Sequence, residues 1–457
     1  MSVLITAAVV AAGLLPASVA SAAPSTIGSS GGGDPYFPQQ GNGGYDVKHY
    51  TLELRYAPAQ GYLAGTAELR AVATQTLTRF DLDLRNDMTA SSVAVNGRPA
   101  RHRQPAGDSH ELIITPAHRL PAGRVFRVVV HYAGTPRPVT DPDGSPDGWI
   151  RTNDGAFVAD EPQGSPTWFP VNNIPRDKAT YSIQVTVPRG YTVASNGRFL
   201  RPVRTATHVT WRYRLTRPVS DYLATATIGR FRMFFGHTAT GVPYRIFVDP
   251  QERGALVRRK LPKMIDFFSS RYGAYPFGEA GAIVDHAPKV GYALETATRP
   301  LFPGTPDELT LAHELAHQWY GDTVTCRLWR DIWVNEGFAE FSSWLWDQHR
   351  GGRTMRQHLR ELLARPADSS SFEPPPGNPG KAANIFADSV YDRGAGTLEA
   401  LREKVGNRIF FTIMRKWLAA HRYGNATSRG FTTFASHVAH RDLTHFFRVW
   451  LYRRAKP

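Results

Sequence analysis

Leu311-Ala312-His313-Glu314-Leu315-Ala316-His317 decides how this chain is read. Two histidines four residues apart share one face of a helix and can bind one metal ion. The flanking text agrees with a helix. Thr305-Pro306-Asp307-Glu308 has the pattern of a capping box with proline at the first helical position, and Gly321 stands where a left-handed C-terminal cap would be. The bland alternative is a helix with two surface histidines.

A catalytic zinc ion takes three protein ligands and keeps one position for water, so a third ligand is needed. Glu336 is the best candidate. It lies in a second helical segment, Asp331 to His349, with 18 residues between it and His317. Glu314 sits about 100° round the helix from His313 and is left free to act as general base.

Working outward, the C-terminal half has helical periodicity from Ala255 to Tyr272 onward, interrupted by the Pro-rich Glu373-Pro374-Pro375-Pro376-Gly377, which reads as a surface loop. The text before it is strand-like. His49 to Leu54, Phe80 to Leu84 and Tyr181 to Val187 alternate, and Asn96-Gly97 marks a hairpin turn. We therefore expect a predominantly antiparallel β domain at 45–235 and a helical catalytic domain at 236–457, the change falling at about 234–242.

Residues 23–44, rich in Gly, Ser, Pro and Gln, read as a flexible linker. Ahead of them, the apolar run Val3 to Leu15 and the small residues Ala17 to Ala22 read as a secretory signal over residues 1–22, so the protein is expected to be secreted, with no transmembrane anchor. The single cysteine, Cys326, excludes an intrachain disulfide and leaves stability to the core. A net charge of +15 allows weak association with an anionic cell envelope, but no dense Lys/Arg block or motif indicates a specific nucleic-acid partner.

The segments His313-Glu314-Leu315-Ala316-His317-Gln318-Trp319-Tyr320-Gly321-Asp322 and Asp331-Ile332-Trp333-Val334-Asn335-Glu336-Gly337-Phe338-Ala339 resemble the aminopeptidase N family of zinc metallopeptidases, the gluzincin aminopeptidases, in a short two-domain bacterial form. The resemblance implies an α+β multidomain fold: an N-terminal antiparallel β saddle followed by a thermolysin-like, mainly helical zinc peptidase domain. It implies one Zn2+ per chain on His313, His317 and Glu336, and peptide substrates with a free N-terminus.

Further residues follow from the same resemblance. Tyr292-Ala293-Leu294-Glu295-Thr296 is similar to the family's Gly-Ala-Met-Glu-Asn segment, which carries over Glu295 as an ammonium anchor and Ala293 as a backbone contact to substrate. Tyr292 replaces the family's Gly and is expected to reshape the pocket for the first side chain. Asp160-Glu161-Pro162 makes Glu161 a second anchor, and Val390-Tyr391-Asp392-Arg393-Gly394-Ala395 makes Tyr391 the oxyanion stabiliser. Glu340, one turn past Glu336, is either an orienting partner of a ligand histidine or part of a solvated face. The implied activity is removal of N-terminal residues with Glu314 as base. The alternatives are an epoxide hydrolase or endopeptidase on the same framework, and a non-catalytic secreted binding protein.

Overall fold

Where apolar residues alternate, the chain forms strands with one buried face. In a computed structural model, which describes residues 26–107 and 109–457, strand Tyr45–Ala57 buries Tyr50, Leu52, Leu54 and Tyr56 and turns Glu53 and Arg55 outward. The expected signal, residues 1–22, lies outside the described residues. Tyr45–Ala57 is central in an eight-stranded sheet, antiparallel to Tyr62–Ala73 with Tyr50 opposite Leu69, and parallel to Ala179–Pro188 with Tyr50 opposite Tyr181. The other pairings of this sheet are antiparallel, and Asn96 and Gly97, at φ 52° and 76°, make the expected hairpin turn.

Two readings of this half need correction. The alternation Phe80 to Leu84 predicts one polar face, yet strand Phe80–Asp83 is buried on both. It belongs to a separate three-stranded sheet, where Asp83 Oδ2 accepts from Asn173 N at 2.7 Å while Asp81 Oδ1 and Asp83 Oδ1 are buried without a hydrogen-bond partner. Residues 26–44, expected to be a flexible linker, instead pack on the rest of the chain. Asp34 accepts from Tyr36 N and, across nearly three hundred residues, from Trp329 N, both at 2.8 Å, and Asn42 N donates to Asn172 Oδ1 at 2.6 Å. Composition reports chain freedom, but not hydrogen bonds made to distant partners.

A five-stranded sheet built around Ala156–Ala159 and Ala226–Gly229 completes the strand-rich half. The change of sheet comes at Arg230 and Phe231. Strand Arg232–His237 pairs with Pro243–Val248, opening a four-stranded sheet continued in parallel by Ala280–Val284 and Leu301–Phe302, so the 235/236 boundary cuts a strand. Helix α1 (Ala255–Tyr272) packs on strand Pro243–Val248 of this sheet, and α2 (Glu308–Ala316), α3 (Trp333–His349), α4 (Met355–Ala364) and α5 (Asp388–Val405) follow, α2 packing on α1, α3 on α2 and α5, and α4 on α5. Helix α1 begins and ends where the periodicity predicts.

One crossing positions the site. Helices α3 and α5 meet at Gly337 and Gly394, where a Cβ on Gly337 would lie 2.8 Å from Gly394 Cα. Only hydrogen fits between the backbones. Glu336 and Tyr391, beside these glycines in sequence, are thereby brought to one place. Among the described residues no helix is long and apolar enough to cross a membrane.

Candidate active site

Helix α2 starts two residues later in its capping motif than the sequence suggests. Its N-cap is Asp307, not Thr305, with the Asp307 carboxylate accepting from Leu309 N at 2.7 Å and Thr310 N at 3.0 Å. Thr305 is outside the helix and donates its hydroxyl to Glu252 Oε2 at 2.7 Å. An aspartate two residues along suits the N-cap as well as threonine does, so the text held two solutions.

His313 and His317 lie on one face as the spacing requires, His317 closing α2 with helical dihedrals. Glu336, in the first turn of α3, faces both: its Oε2 is 3.3 Å from His313 Nε2 and 3.4 Å from His317 Nε2. Bonds of about 2.0–2.2 Å to a tetrahedral zinc put ligand atoms about 3.3 Å apart. The three donors are therefore spaced as a zinc ion needs them. All three residues are at least nine-tenths buried. Burial works against charge on both rings, but nearby carboxylates override it, Glu336 and Glu340 at His313 and Glu295 with Glu336 at His317, and raise both histidines above the ordinary imidazole value. Burial also opposes the charge on Glu336, and the two rings overcome it, holding that carboxyl well below its usual range. A divalent cation between them would replace the protons the carboxylate now attracts to the rings.

The outer nitrogens of both rings are held. His313 Nδ1 lies 3.1 Å from Glu340 Oε2, and His317 Nδ1 lies 3.0 Å from the Tyr320 carbonyl, so each donates there and turns Nε2 inward. Glu340 is itself fixed by Trp344 Nε1 at 2.7 Å and Ser343 Oγ at 3.1 Å, which settles it as an orienting partner rather than a solvated face. Gly321 has φ 130°, and a Cβ there would stand 2.6 Å from His317 Nδ1. The glycine clears space for the ring.

Glu161, Glu295 and Glu314 converge on the same point from three segments. Glu161 follows strand Ala156–Ala159, Glu295 lies between Ala280–Val284 and Leu301–Phe302, and Glu314 is on α2. One oxygen each of Glu161, Glu295 and Glu336 lies within 4.8 Å of the others, as do donor atoms of Glu295, Glu314 and His317. Glu161 Oε1 and Glu295 Oε1 are buried with no hydrogen-bond partner. Burial, reinforced by neighbouring carboxylates, pushes Glu161 well above the usual range; burial lifts Glu295 to about 7 despite His317, and raises Glu314 as well. The site collects negative charge and leaves two acceptors open.

Tyr391, in the first turn of α5, stands with its ring 5.8 Å from that of His313. It separates two cavities. One, of about 230 Å³, is lined by Glu161, Tyr292, Ala293, Phe386 and Tyr391; the other, about 540 Å³, opens over His313, Glu314, Arg353 and Arg365. Tyr292 reaches across the smaller one and donates its hydroxyl to the Pro146 carbonyl at 2.8 Å. A roomier groove of about 800 Å³, around Phe199 and Arg245, contains none of these residues, so volume alone misplaces the site.

Gln318 is a supporting residue that sequence reasoning quoted without assigning. Its Oε1 accepts from Thr298 N at 2.7 Å and its Nε2 donates to the Glu295 carbonyl at 3.3 Å, tying the Glu295 segment to the end of α2. Its position beside His317 was the available signal. Asn335 does the same for α3: its Oδ1 accepts from Cys326 N at 2.9 Å, and its Nδ2 donates to Tyr222 Oη at 3.1 Å.

A sheet-rich half, a helical half and a buried His-His-Glu triad on consecutive helices are the arrangement expected of a two-domain zinc metallopeptidase. Residues 307–450 match the peptidase family M1 domain. It is 29% identical over 317 residues to aminopeptidase N of Haemonchus contortus, covering 63% of this chain and 32% of that protein. It is 26% identical over 348 residues to tricorn protease-interacting factor F2 of Thermoplasma acidophilum, covering 67% and 42%. The chain thus spans 32% and 42% of the length of these relatives. Among solved structures, an M1 zinc metallopeptidase mutant of Deinococcus radiodurans bound to a Tyr-Ser-Ala substrate superposes with a TM-score of 0.86 at 28% identity, covering 93% of this chain and 98% of that one. That likeness takes in both domains.

Proposed function

We propose that this chain is an exported zinc aminopeptidase that hydrolyses the first peptide bond of peptides with a free N-terminus. The observation that carries the reading is the pair of buried, unpartnered acceptors, Glu161 Oε1 and Glu295 Oε1, beside the His313, His317 and Glu336 donors. Buried carboxylates without partners are costly, and a substrate ammonium offers both of them charge-assisted hydrogen bonds.

His313, His317 and Glu336 would hold the zinc ion, which when bound supplies Lewis acidity and lowers the pKa of water to about 7. Glu161 and Glu295 accept from the ammonium and set the register of the substrate, so that the first carbonyl meets the triad. The Ala293 backbone lines the same pocket. Glu314, its basicity raised by burial, takes a proton from the attacking water and returns it to the leaving amine. Tyr391, kept protonated by burial, donates to the carbonyl oxygen as negative charge develops. That the Deinococcus neighbour binds a Tyr-Ser-Ala substrate supports a peptide substrate here. Export rests on residues 1–22, and the net charge of +15 supports weak retention at an anionic envelope.

The test is fluorophore release from aminoacyl substrates by protein beginning at residue 23, with Glu314→Gln and chelator as controls. Turnover should be lost in both controls and restored by zinc after chelation. Turnover that survives Glu314→Gln would remove the base from the mechanism, and zinc binding without any turnover would favour a binding protein.

A further inference from the structure

A second group of oxygen donors lies apart from the histidine site. Asp154 is in the hairpin joining strands Pro146–Arg151 and Ala156–Ala159, Asp249 follows Pro243–Val248, and Asp285 follows Ala280–Val284. Each brings one carboxylate oxygen within 4.8 Å of the others. The topology explains the meeting. Pro243–Val248 and Ala280–Val284 are adjacent and parallel with Val248 opposite Val284, so the next residue of each, Asp249 and Asp285, emerges side by side. Asp249 N donates to the Val284 carbonyl at 2.8 Å, and the hairpin delivers Asp154 from the strand-rich domain.

Both aspartates of the catalytic sheet are buried, Asp249 at 1% and Asp285 at 0% exposure. Asp285 Oδ1 accepts from His286 N at 2.9 Å, while Asp285 Oδ2 is buried with no partner. Asp249 Oδ1 accepts from Gln251 N at 2.7 Å and Asp154 Oδ2 from Arg230 N at 3.0 Å, both backbone donors. The neighbouring His286 is not one of the grouped donors, and its Nδ1 lies 2.7 Å from Glu252 Oε1. Burial, with Asp154 and Asp249 adding repulsion, drives the Asp285 carboxyl well above its usual range. A proton or a bound cation can relieve this burial and repulsion, and the unpartnered Asp285 Oδ2 is open to a cation.

We propose that Asp154, Asp249 and Asp285 form a calcium-class site, separate from the zinc triad, that ties the hairpin of the β domain to the catalytic sheet. All donors are carboxylate oxygens, which suit hard divalent cations, with no nitrogen or sulfur to select zinc. Three protein carboxylates suit calcium, at about 2.3–2.6 Å per bond, better than magnesium, which keeps several waters and takes one or two carboxylates. The consequence reaches the other site. Asp154 is two residues before strand Ala156–Ala159, which leads directly to Glu161, and Ala280–Val284 precedes the Glu295 segment, so the cation fixes both anchors' strands to each other.

Zinc-loaded full chain, freed of calcium by dialysis, is titrated with CaCl2 and with MgCl2 by calorimetry, and its thermal midpoint is followed. One Ca2+ per chain should bind, at least tenfold more tightly than Mg2+, raising the midpoint by about 2 °C or more at saturation. Asp285→Asn should abolish binding, and Asp154→Asn, on the half-exposed hairpin and so safe for folding, should weaken it at least tenfold with zinc content unchanged. No calcium uptake by the wild type, or uptake undiminished in Asp154→Asn, would overturn the site; equal magnesium affinity would overturn its assignment to calcium.

Discussion

Glu340 Oε2 stands 3.1 Å from His313 Nδ1, and its other oxygen accepts from Trp344 Nε1 at 2.7 Å. The ring is therefore aimed before any metal arrives. Removing such a partner typically costs 10- to 100-fold in metal affinity. Glu340→Ala is expected to lower zinc affinity by about that factor, read by competition with a chromogenic chelator, while Glu340→Gln, which keeps an acceptor, loses less. Equal affinity in all three proteins would reduce Glu340 to a surface residue.

The contact between Gly337 and Gly394 leaves no room for a methyl group. Gly337→Ala should push α3 from α5, at a cost of about 1–3 kcal/mol. Since the same crossing sets Glu336 against Tyr391, activity should fall further than the stability loss explains. A lowered thermal midpoint with unchanged kcat/KM would separate the crossing from the site.

Tyr391 has its hydroxyl held protonated by burial and by the surrounding carboxylates. Tyr391→Phe removes one donor to the developing oxyanion, expected to lower kcat by about 10²-fold with little change in KM. A rise in KM at constant kcat would instead make Tyr391 a wall of the smaller cavity.

Asp83 supplies a pH test away from the metal site. Burial is the main cause that lifts its carboxyl from an ordinary value near 4 to about 8. The folded state thus holds a proton that the unfolded state releases near pH 4, so this group's contribution to stability falls as pH rises from about 4 to about 8 and is constant above. Asn mimics the protonated form. The thermal midpoint of Asp83→Asn relative to wild type should climb across that window, and a difference independent of pH would contradict the assignment.

Much of this molecule was legible from residue spacing. The i, i+4 histidines, the later glutamate and the alternating strands each obey a local period, and α1, the triad and strand Ala179–Pro188 lie where those periods put them. The readings that failed depended on what comes from far away. Asp81 and Asp83 look like a solvent face until another layer covers them, and residues 26–44 look unconstrained until Asp34 finds Trp329 N. Gln318 carried no periodic signal, since its partners Thr298 and Glu295 reach it only through the fold.

The central claim is that Glu161 and Glu295 read a free N-terminus. The most direct measurement is the ratio of kcat/KM for a free aminoacyl substrate to that for its N-acetylated form, in wild type, Glu161→Gln and Glu295→Gln. Losing one partner of a buried charge pair costs about 2–5 kcal/mol, so the wild-type ratio should be large and should fall by about 30-fold or more in either variant. A wild-type ratio near one, or a ratio unchanged by both substitutions, would contradict the account and point to an endopeptidase.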